Sequence, residues 1–523
     1  MWFKAGLLSL VLLLASRLLG LARESAQAAA FGASGLADLA VLMLTLPDWI
    51  TGVVAAGALS YVLVPAWAGR DAAFIAATQR RVAHALVGLG LALGAIGGLG
   101  LLLRPQGVLG VLAAGLPPAL GPVAVTGLLW SALALAPALL AALWATRLQH
   151  ESDAVGLYGA NLVVNGALVL SIVGAGWALG AAVPAQAGGD ATATAVWILG
   201  LGLLAAMGLR LVWQAWRMRR SAAGADGAAD AAQDRAVGVT LSLRTPVPVW
   251  VWAILSAGLP LALPFAARSL ASGEGAGALA VFNYAWKLVE LPLMLAIQLV
   301  ATLAFPSVAA AVAGGLDRSS ARETVRAAFG LAWGLACAAA AALVVGAGPL
   351  AQLLFGWGRM DPESLARVAH WGALGAWGLL PQAVSAVGLT VLASQRRLRP
   401  AAAWHALALA VLLSMGAFAS REGAALMLTL NGVMTLVAVG VVLALGRGAA
   451  ACLPWRAMLA PAVALLAVAA GARLLPPGVP LQSGAAGMPW WPLAGGLGLA
   501  ALAAAGVLAV AWATSRSLRP RRR

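Results

Sequence analysis

The sequence predicts an all-α polytopic membrane protein of fourteen transmembrane helices, two six-helix lobes plus two C-terminal helices. Three observations carry that expectation. Hydrophobic residues make up 62% of the 523-residue chain and charged residues 10%, with a mean hydropathy of +0.94, which excludes an ordinary soluble globule. Apolar runs of about 18 residues or more, long enough to cross a bilayer, recur in series. Arginine and lysine gather in alternate connections between those runs, as the positive-inside rule requires. The same rule accounts for the formal net charge of +16 without nucleic acid as a partner.

Taken in order, the expected spans fall near 5–25, 38–66, 82–103, 120–145, 155–177, 194–216, 247–268, 277–306, 327–354, 367–393, 401–419, 423–446, 457–475 and 490–513. The first resembles a signal peptide in having Lys4 ahead of an apolar run. Arg17 and Arg23 follow the run directly, however, and no small-residue cleavage site precedes the second span, so it reads as a retained helix. An even count puts both termini on one side. With the termini in the cytoplasm, 23 cationic residues fall on the inner side and 6 on the outer, which sets the orientation. The polar stretch 218–245 reads as a cytoplasmic linker between an N-lobe, 1–217, and a C-lobe, 246–446. A two-helix extension and basic tail, 447–523, completes the chain. A faint echo joins the lobes: Asp38 to Pro65 and Ala278 to Pro306 each follow a small-residue loop, carry an internal proline and end on a second. Two parallel halves with substrate between them is a transporter plan.

The informative residues are charges inside apolar segments. Arg17, Arg23 and Asp38 in the first half, and Lys287 with Glu290 in the second, each cost a few kcal/mol at bilayer depth even on the lenient insertion scale. Such residues therefore face a wet cavity or a partner. Asp38 is expected to reach the level of Arg23, and Lys287 and Glu290, three apart, can pair on one helix. The bland alternative is a set of self-satisfied ion pairs, or Arg23 and Glu24 snorkelling at an interface. Against it, the cations outnumber the acids that would neutralise them. A residual positive cavity suits an anionic headgroup, and arginine's fork matches phosphate oxygens in pairs. Pro47, Pro65, Pro292 and Pro306 weaken their helices and suit hinges, although prolines are common in membrane helices in any case.

No catalytic constellation appears. His84, His150, His370 and His405 are scattered, Cys337 and Cys452 have no metal or disulfide spacing, and the tryptophans read as interfacial belts. Asp361 and Glu363 lie close enough for a weak metal site but read better as a solvated loop. The expectation is a transporter and not an enzyme, with neither cofactor nor metal.

Several of these blocks together resemble a known family. SRxxGxxR at Ser16 to Arg23, FGASGLAD ending at Asp38, Leu46-Pro47, GALS at Gly57 to Ser60 and Val64-Pro65 are similar to the opening of the MurJ (MviN) lipid II flippases of the MOP exporter superfamily. So are Tyr284 to Pro292, Phe305-Pro306-Ser307, Leu354 to Gly358 and Ser394-Gln395. The resemblance implies a V-shaped pair of lobes around a cationic cavity, with a C-terminal helix pair forming a groove for a polyprenyl tail. It implies a substrate, undecaprenyl-diphosphate-linked peptidoglycan precursor, moved from inner to outer leaflet of the bacterial cytoplasmic membrane by a monomer among membrane lipids. By resemblance, Arg23 and Asp38 occupy positions important for transport, Arg17 the preceding motif arginine, and Lys287 and Glu290 the family's arginine and glutamate.

The departures are as specific. Thr51 and Gly52 stand where the family carries arginines after its second-span proline, and Trp286-Lys287 replaces an acid-arginine pair. One cavity cation is missing and one is reduced from fork to point charge. The acidic and amide residues of a sodium site known in some relatives are absent from spans seven and eleven, leaving Asn431 in span twelve. The alternatives are therefore a flippase for another polyprenyl-linked glycan, a cation-coupled multidrug exporter, a membrane glycosyltransferase or a passive scaffold.

Overall fold

The computed structural model describes residues 2–53, 57–180, 189–229, 247–293, 308, 319–395, 397–418, 421–446, 452–474 and 490–514. Among these residues all regular structure is helical. The helices are α1 (Trp2–Phe31), α2 (Gly35–Thr51), α3 (Gly57–Trp67), α4 (Ala72–Leu103), α5 (Pro105–Leu112), α6 (Gly121–His150), α7 (Ala154–Ala178), α8 (Asp190–Ala229) and α9 (Val247–Ala271). They continue with α10 (Ala278–Pro292), α11 (Ser319–Phe355), α12 (Pro362–Gly375), α13 (Leu379–Ser394), α14 (Leu398–Phe418), α15 (Gly423–Leu445), α16 (Trp455–Ala472) and α17 (Trp490–Thr514). Ten stretches among the described residues are long and apolar enough to cross a membrane. The four remaining expected spans fall on α1, on the pair α2 and α3, on α10 and on α14. The chain is thus an all-α multi-pass membrane protein. Pro306, most of the expected linker and the basic tail lie outside the described residues.

The helices begin where short polar side chains can accept their orphan N–H groups. Ser34 accepts from Ala37 N–H at 3.2 Å to open α2, and Asp71 accepts from Phe74 N–H at 2.9 Å to open α4. Asp153 and Asp361 do the same for α7 and α12, at 2.9 and 2.8 Å. The carboxylate of Asp361 therefore serves as a helix cap. Its neighbour in the pattern, Glu363, sits in the first turn of the same helix.

The chain divides into two compact units, Met1–Ala262 and Leu263–Arg523. In the first, α1 packs on α7, α4 and α8 on α6, and α7 on α8. Polar contacts within the apolar interior fix the register. Ser131 Oγ of α6 donates to Met43 O of α2 at 2.7 Å, and Gln214 Nε2 of α8 donates to Ala141 O at 3.1 Å. The early part of α9 belongs to this unit: Trp49 Nε1 donates to Leu261 O at 3.3 Å, and Ala253 is buried with Ala58 and Val62. In the second unit, α11 packs against α12, α13, α16 and α17. Trp333 Nε1 donates to Met458 O at 2.9 Å and Asn431 Nδ2 to Leu374 O at 2.8 Å, while Tyr284 stacks on Phe355 at 5.0 Å.

Tryptophans expected at membrane interfaces include several that fill glycine notches instead. A Cβ at Gly423 would meet Trp371, one at Gly440 would meet Trp404, and one at Gly200 would meet Trp130. The two segments joined by the sequence echo also share a local irregularity. α2 passes into a wide π-type turn at Gly52 and Val53 after Pro47, and α10 does so at Leu293 after Pro292.

Candidate functional site

The site in the first unit is built on the last third of α1. Arg23 is 8% exposed and Glu24 only 1%. Adjacent on the helix, they are joined by a 2.8 Å hydrogen bond from Arg23 Nη2 to Glu24 Oε1. The other terminal nitrogen of Arg23 lies 3.6 Å from Asp48 Oδ2 on α2. One guanidinium thus bridges two acids on two helices, which is how a buried cation is retained at bilayer depth. Asp48, rather than Asp38, is the α2 acid at the level of Arg23. Asp38 is fully buried in the first turn of α2, ten residues and about 15 Å of helix rise from Asp48. At that end its negative charge favours the helix dipole.

Arg17 is exposed. Seven residues separate it from Glu24, about 700°, so the two share one face of α1 roughly 10 Å apart. Leu10 extends that strip, whereas Leu8, Val11 and Leu18 expose faces about 100° or more away. Arg17 thus sits on the strip that leads to the Arg23 cluster, away from the arc holding those three leucine and valine side chains.

A third helix contributes a cation absent from the expected set. Arg210 of α8 lies within electrostatic reach of Asp48. It continues the α8 face holding the buried Leu203, Met207 and Gln214. Arg210 stands within the expected span 194–216, but no signal in the sequence brings it to a residue on α2. Around this cluster four buried polar atoms have no hydrogen-bond partner: Arg23 Nε, Gln27 Nε2, Thr51 Oγ1 and Arg210 Nε. Gln27 is one turn beyond Arg23 on α1, and Thr51 one turn beyond Asp48 on α2.

In the second unit, Lys287 Nζ donates to Glu290 Oε2 at 2.7 Å, both side chains about a quarter exposed. The next turn of α10 holds Pro292. Arg268, assigned by sequence to an outer connection, is buried: its Nη1 donates to Asn283 Oδ1 at 2.8 Å and its guanidinium lies 4.8 Å from the Phe265 ring centre. Glu274 accepts from Gly423 N–H at 2.8 Å and lies 3.7 Å from Arg367, tying the α9–α10 connection to α15 and α12. Among the described residues, no three His, Cys, Asp or Glu side chains gather as a metal site would need. Two guanidiniums, an amide and a hydroxyl, each with a buried polar atom that has no partner, lie near the Asp48 carboxylate, a donor set whose chemistry suits an anion.

A sequence model of the family described as Lipid II flippase MurJ matches residues 27–486. The chain belongs to that family. Asp38, Lys287 and Glu290 lie inside the matched stretch, which opens just beyond Arg23. No curated protein matches the chain by sequence. Among solved structures, the chain is similar to a lipid II flippase MurJ in an inward closed conformation, with a TM-score of 0.70 and 12% identity, over 97% of this chain and 99% of that one. It is also similar to an inward-facing multidrug resistance MATE family transporter of the MOP superfamily, TM-score 0.58 and 16% identity, covering 83% and 95%. A point mutant of the Vibrio cholerae MATE transporter VcmN gives 0.53 and 15% over 84% and 95%. At these identities the structures speak for the fold, and the MurJ family match makes this chain a transporter and not an enzyme.

Proposed function

We propose that this protein flips lipid II, carrying the undecaprenyl-diphosphate-linked peptidoglycan precursor from the inner to the outer leaflet of the bacterial cytoplasmic membrane by alternating access. The family match over residues 27–486 carries the reading, and the buried Arg23 bridging Glu24 and Asp48 supports it. In this reading Arg17, Arg23 and Lys287 grip the diphosphate. Glu24, Asp48 and Glu290 hold the cations in the empty state, where an unpaired buried charge is most costly. Asp38 fixes the start of α2 so that Asp48 is presented to Arg23. Pro47, Pro65, Pro292 and Pro306 are the bending points, and the π-type turns after Pro47 and Pro292 support that role for two of them. The protein acts as a monomer with both termini in the cytoplasm, its lobes spanning 1–217 and 246–446 across the linker 218–245, followed by the extension 447–523. An inside-negative potential returns the emptied cationic site inward, each charge crossing 100 mV being worth about 2.3 kcal/mol.

The test is complementation. Expression of this chain restores wall synthesis and cell shape in a bacterium depleted of its own lipid II flippase; failure to do so despite normal membrane insertion removes the lipid II assignment. A second reading, flipping of another polyprenyl-linked glycan, is favoured by Thr51 and Gly52 in α2, where the resembling family carries arginine. Deleting the gene in its own host and profiling polyprenyl-linked lipids separates the two: lipid II accumulates in the first case, a different diphosphate-linked sugar in the second.

A further inference from the structure

We propose that Arg210 on α8 is a further guanidinium of the diphosphate site, attracted by Asp48 in the empty protein and by phosphate oxygens when substrate arrives. The inference rests on the lipid-linked diphosphate reading above and adds a helix and a residue to it. Asp48 lies 3.6 Å from Arg23, and α2 packs against α8, where Arg210 is within electrostatic reach of the same carboxylate. Its side chain is 45% exposed, while that of Glu24 is 1% exposed. Glu24 is therefore the fixed counter-charge of Arg23, and Asp48 is the acid an incoming anion can displace.

Unmet hydrogen-bonding capacity points the same way. A buried polar atom without a partner is an exception that calls for one. Here the Nε of Arg23 and the Nε of Arg210 are both buried without a partner, as are Thr51 Oγ1 and Gln27 Nε2 on the adjoining turns. An anion with several acceptor oxygens completes them at once, and a diphosphate presents two phosphoryl groups to two planar forks. The charges agree. Arg23 and Arg210 balance Glu24 and Asp48 when the site is empty; withdrawal of Asp48 leaves one net positive charge, to which the exposed Arg17 on the same strip adds another. Position fits as well: Arg210 is ten residues, about 15 Å, from Arg220 at the basic end of the α8 span, and Asp48 is about 19 Å along α2 from Gly35.

Binding of undecaprenyl diphosphate to the full chain in lipid nanodiscs tests this, with undecaprenol and inorganic pyrophosphate as comparison ligands. Arg210→Gln is expected to weaken undecaprenyl diphosphate binding by about tenfold, equivalent to about 1.4 kcal/mol, with Arg210→Lys between it and wild type. Asp48→Asn is expected to tighten binding several-fold, because it removes the competitor. The double variant Asp48→Asn/Arg210→Gln separates this role from a structural one: it recovers the melting temperature lost in Arg210→Gln but not the affinity. Wild-type affinity in Arg210→Gln, or recovery of affinity in the double variant, overturns the role of Arg210 and leaves the flippase reading intact. A wild-type protein that binds undecaprenol as tightly as undecaprenyl diphosphate, or prefers inorganic pyrophosphate, overturns the lipid-linked diphosphate reading itself.

Discussion

In the proposed function Arg23 carries two loads, and substitution separates them. Its removal takes one hydrogen-bonded partner from the buried Glu24, and breaking a buried pair costs up to about 3–5 kcal/mol, so Arg23→Ala is expected to lower both stability and transport. Arg23→Ala/Glu24→Gln removes the stranded charge: its melting temperature in detergent should return toward wild type while complementation stays absent. Recovery of both would make the pair purely structural. Asp153 supplies a contrasting case outside the membrane spans. Burial pushes its carboxyl up, but the bidentate Arg217 at 2.9 and 2.6 Å, with the N–H of Gly156, outweighs this and holds it below the ordinary carboxylate value. A depressed folded value means that the carboxylate stabilises above the unfolded value, near 3.8, and loses that contribution as pH falls through the lower folded one. Asp153→Asn should therefore melt earlier than wild type at pH 7, and the gap should narrow as pH falls below the unfolded value and close once it passes the lower folded one.

At the scale of elements, the abundance of glycine has two explanations, close helix packing or genome composition, and the structure divides them position by position. On α4, a Cβ at Gly90 would lie 2.6 Å from Ala136 Cα, and one at Gly94 2.7 Å from Ala132 O, so the α4 and α6 backbones touch along a small-residue stripe. Gly88 and Gly97 on the same helix would meet nothing. Gly90→Leu should force the two helices apart and cost about 1–3 kcal/mol, the usual penalty of overpacking, while Gly88→Leu leaves thermal stability unchanged; equal melting temperatures would show that the contact is slack. Periodicity and hydropathy alone locate the spans, because a bilayer demands long apolar runs with every backbone group satisfied internally, but not their ends: α4 begins ten residues and α11 eight before the expected bounds. What they cannot place is the break in a helix. The π-type turns after Pro47 and Pro292 depend on which carbonyls find other partners.

At the scale of the whole molecule, the candidate site was legible as chemistry and only partly as geometry. Arg23, Lys287 and Glu290 stand out because a charge in an apolar run has to be accounted for, and the Lys287–Glu290 contact follows from their spacing of three. Asp48 and Arg210 do not stand out together. They lie on helices 162 residues apart in sequence, and no one-dimensional pattern reports which faces of two spans meet. Orientation, by contrast, is carried by counts of cationic residues alone, 23 against 6, and it has a direct test. The two native cysteines, Cys337 and Cys452, are both buried, so their replacement by alanine should yield a functional thiol-free background. Ala68 and Gln106 are exposed just beyond opposite ends of α4, whose 32 residues rise about 48 Å, more than the roughly 30 Å hydrocarbon core. With the termini in the cytoplasm, α4 runs from inside to outside. A membrane-impermeant maleimide applied to intact spheroplasts should then label Gln106→Cys and leave Ala68→Cys unlabelled until the membrane is opened. The opposite pattern would invert every span, turn the basic α8 end outward, and require the anion to enter the Arg23 cluster from the other leaflet.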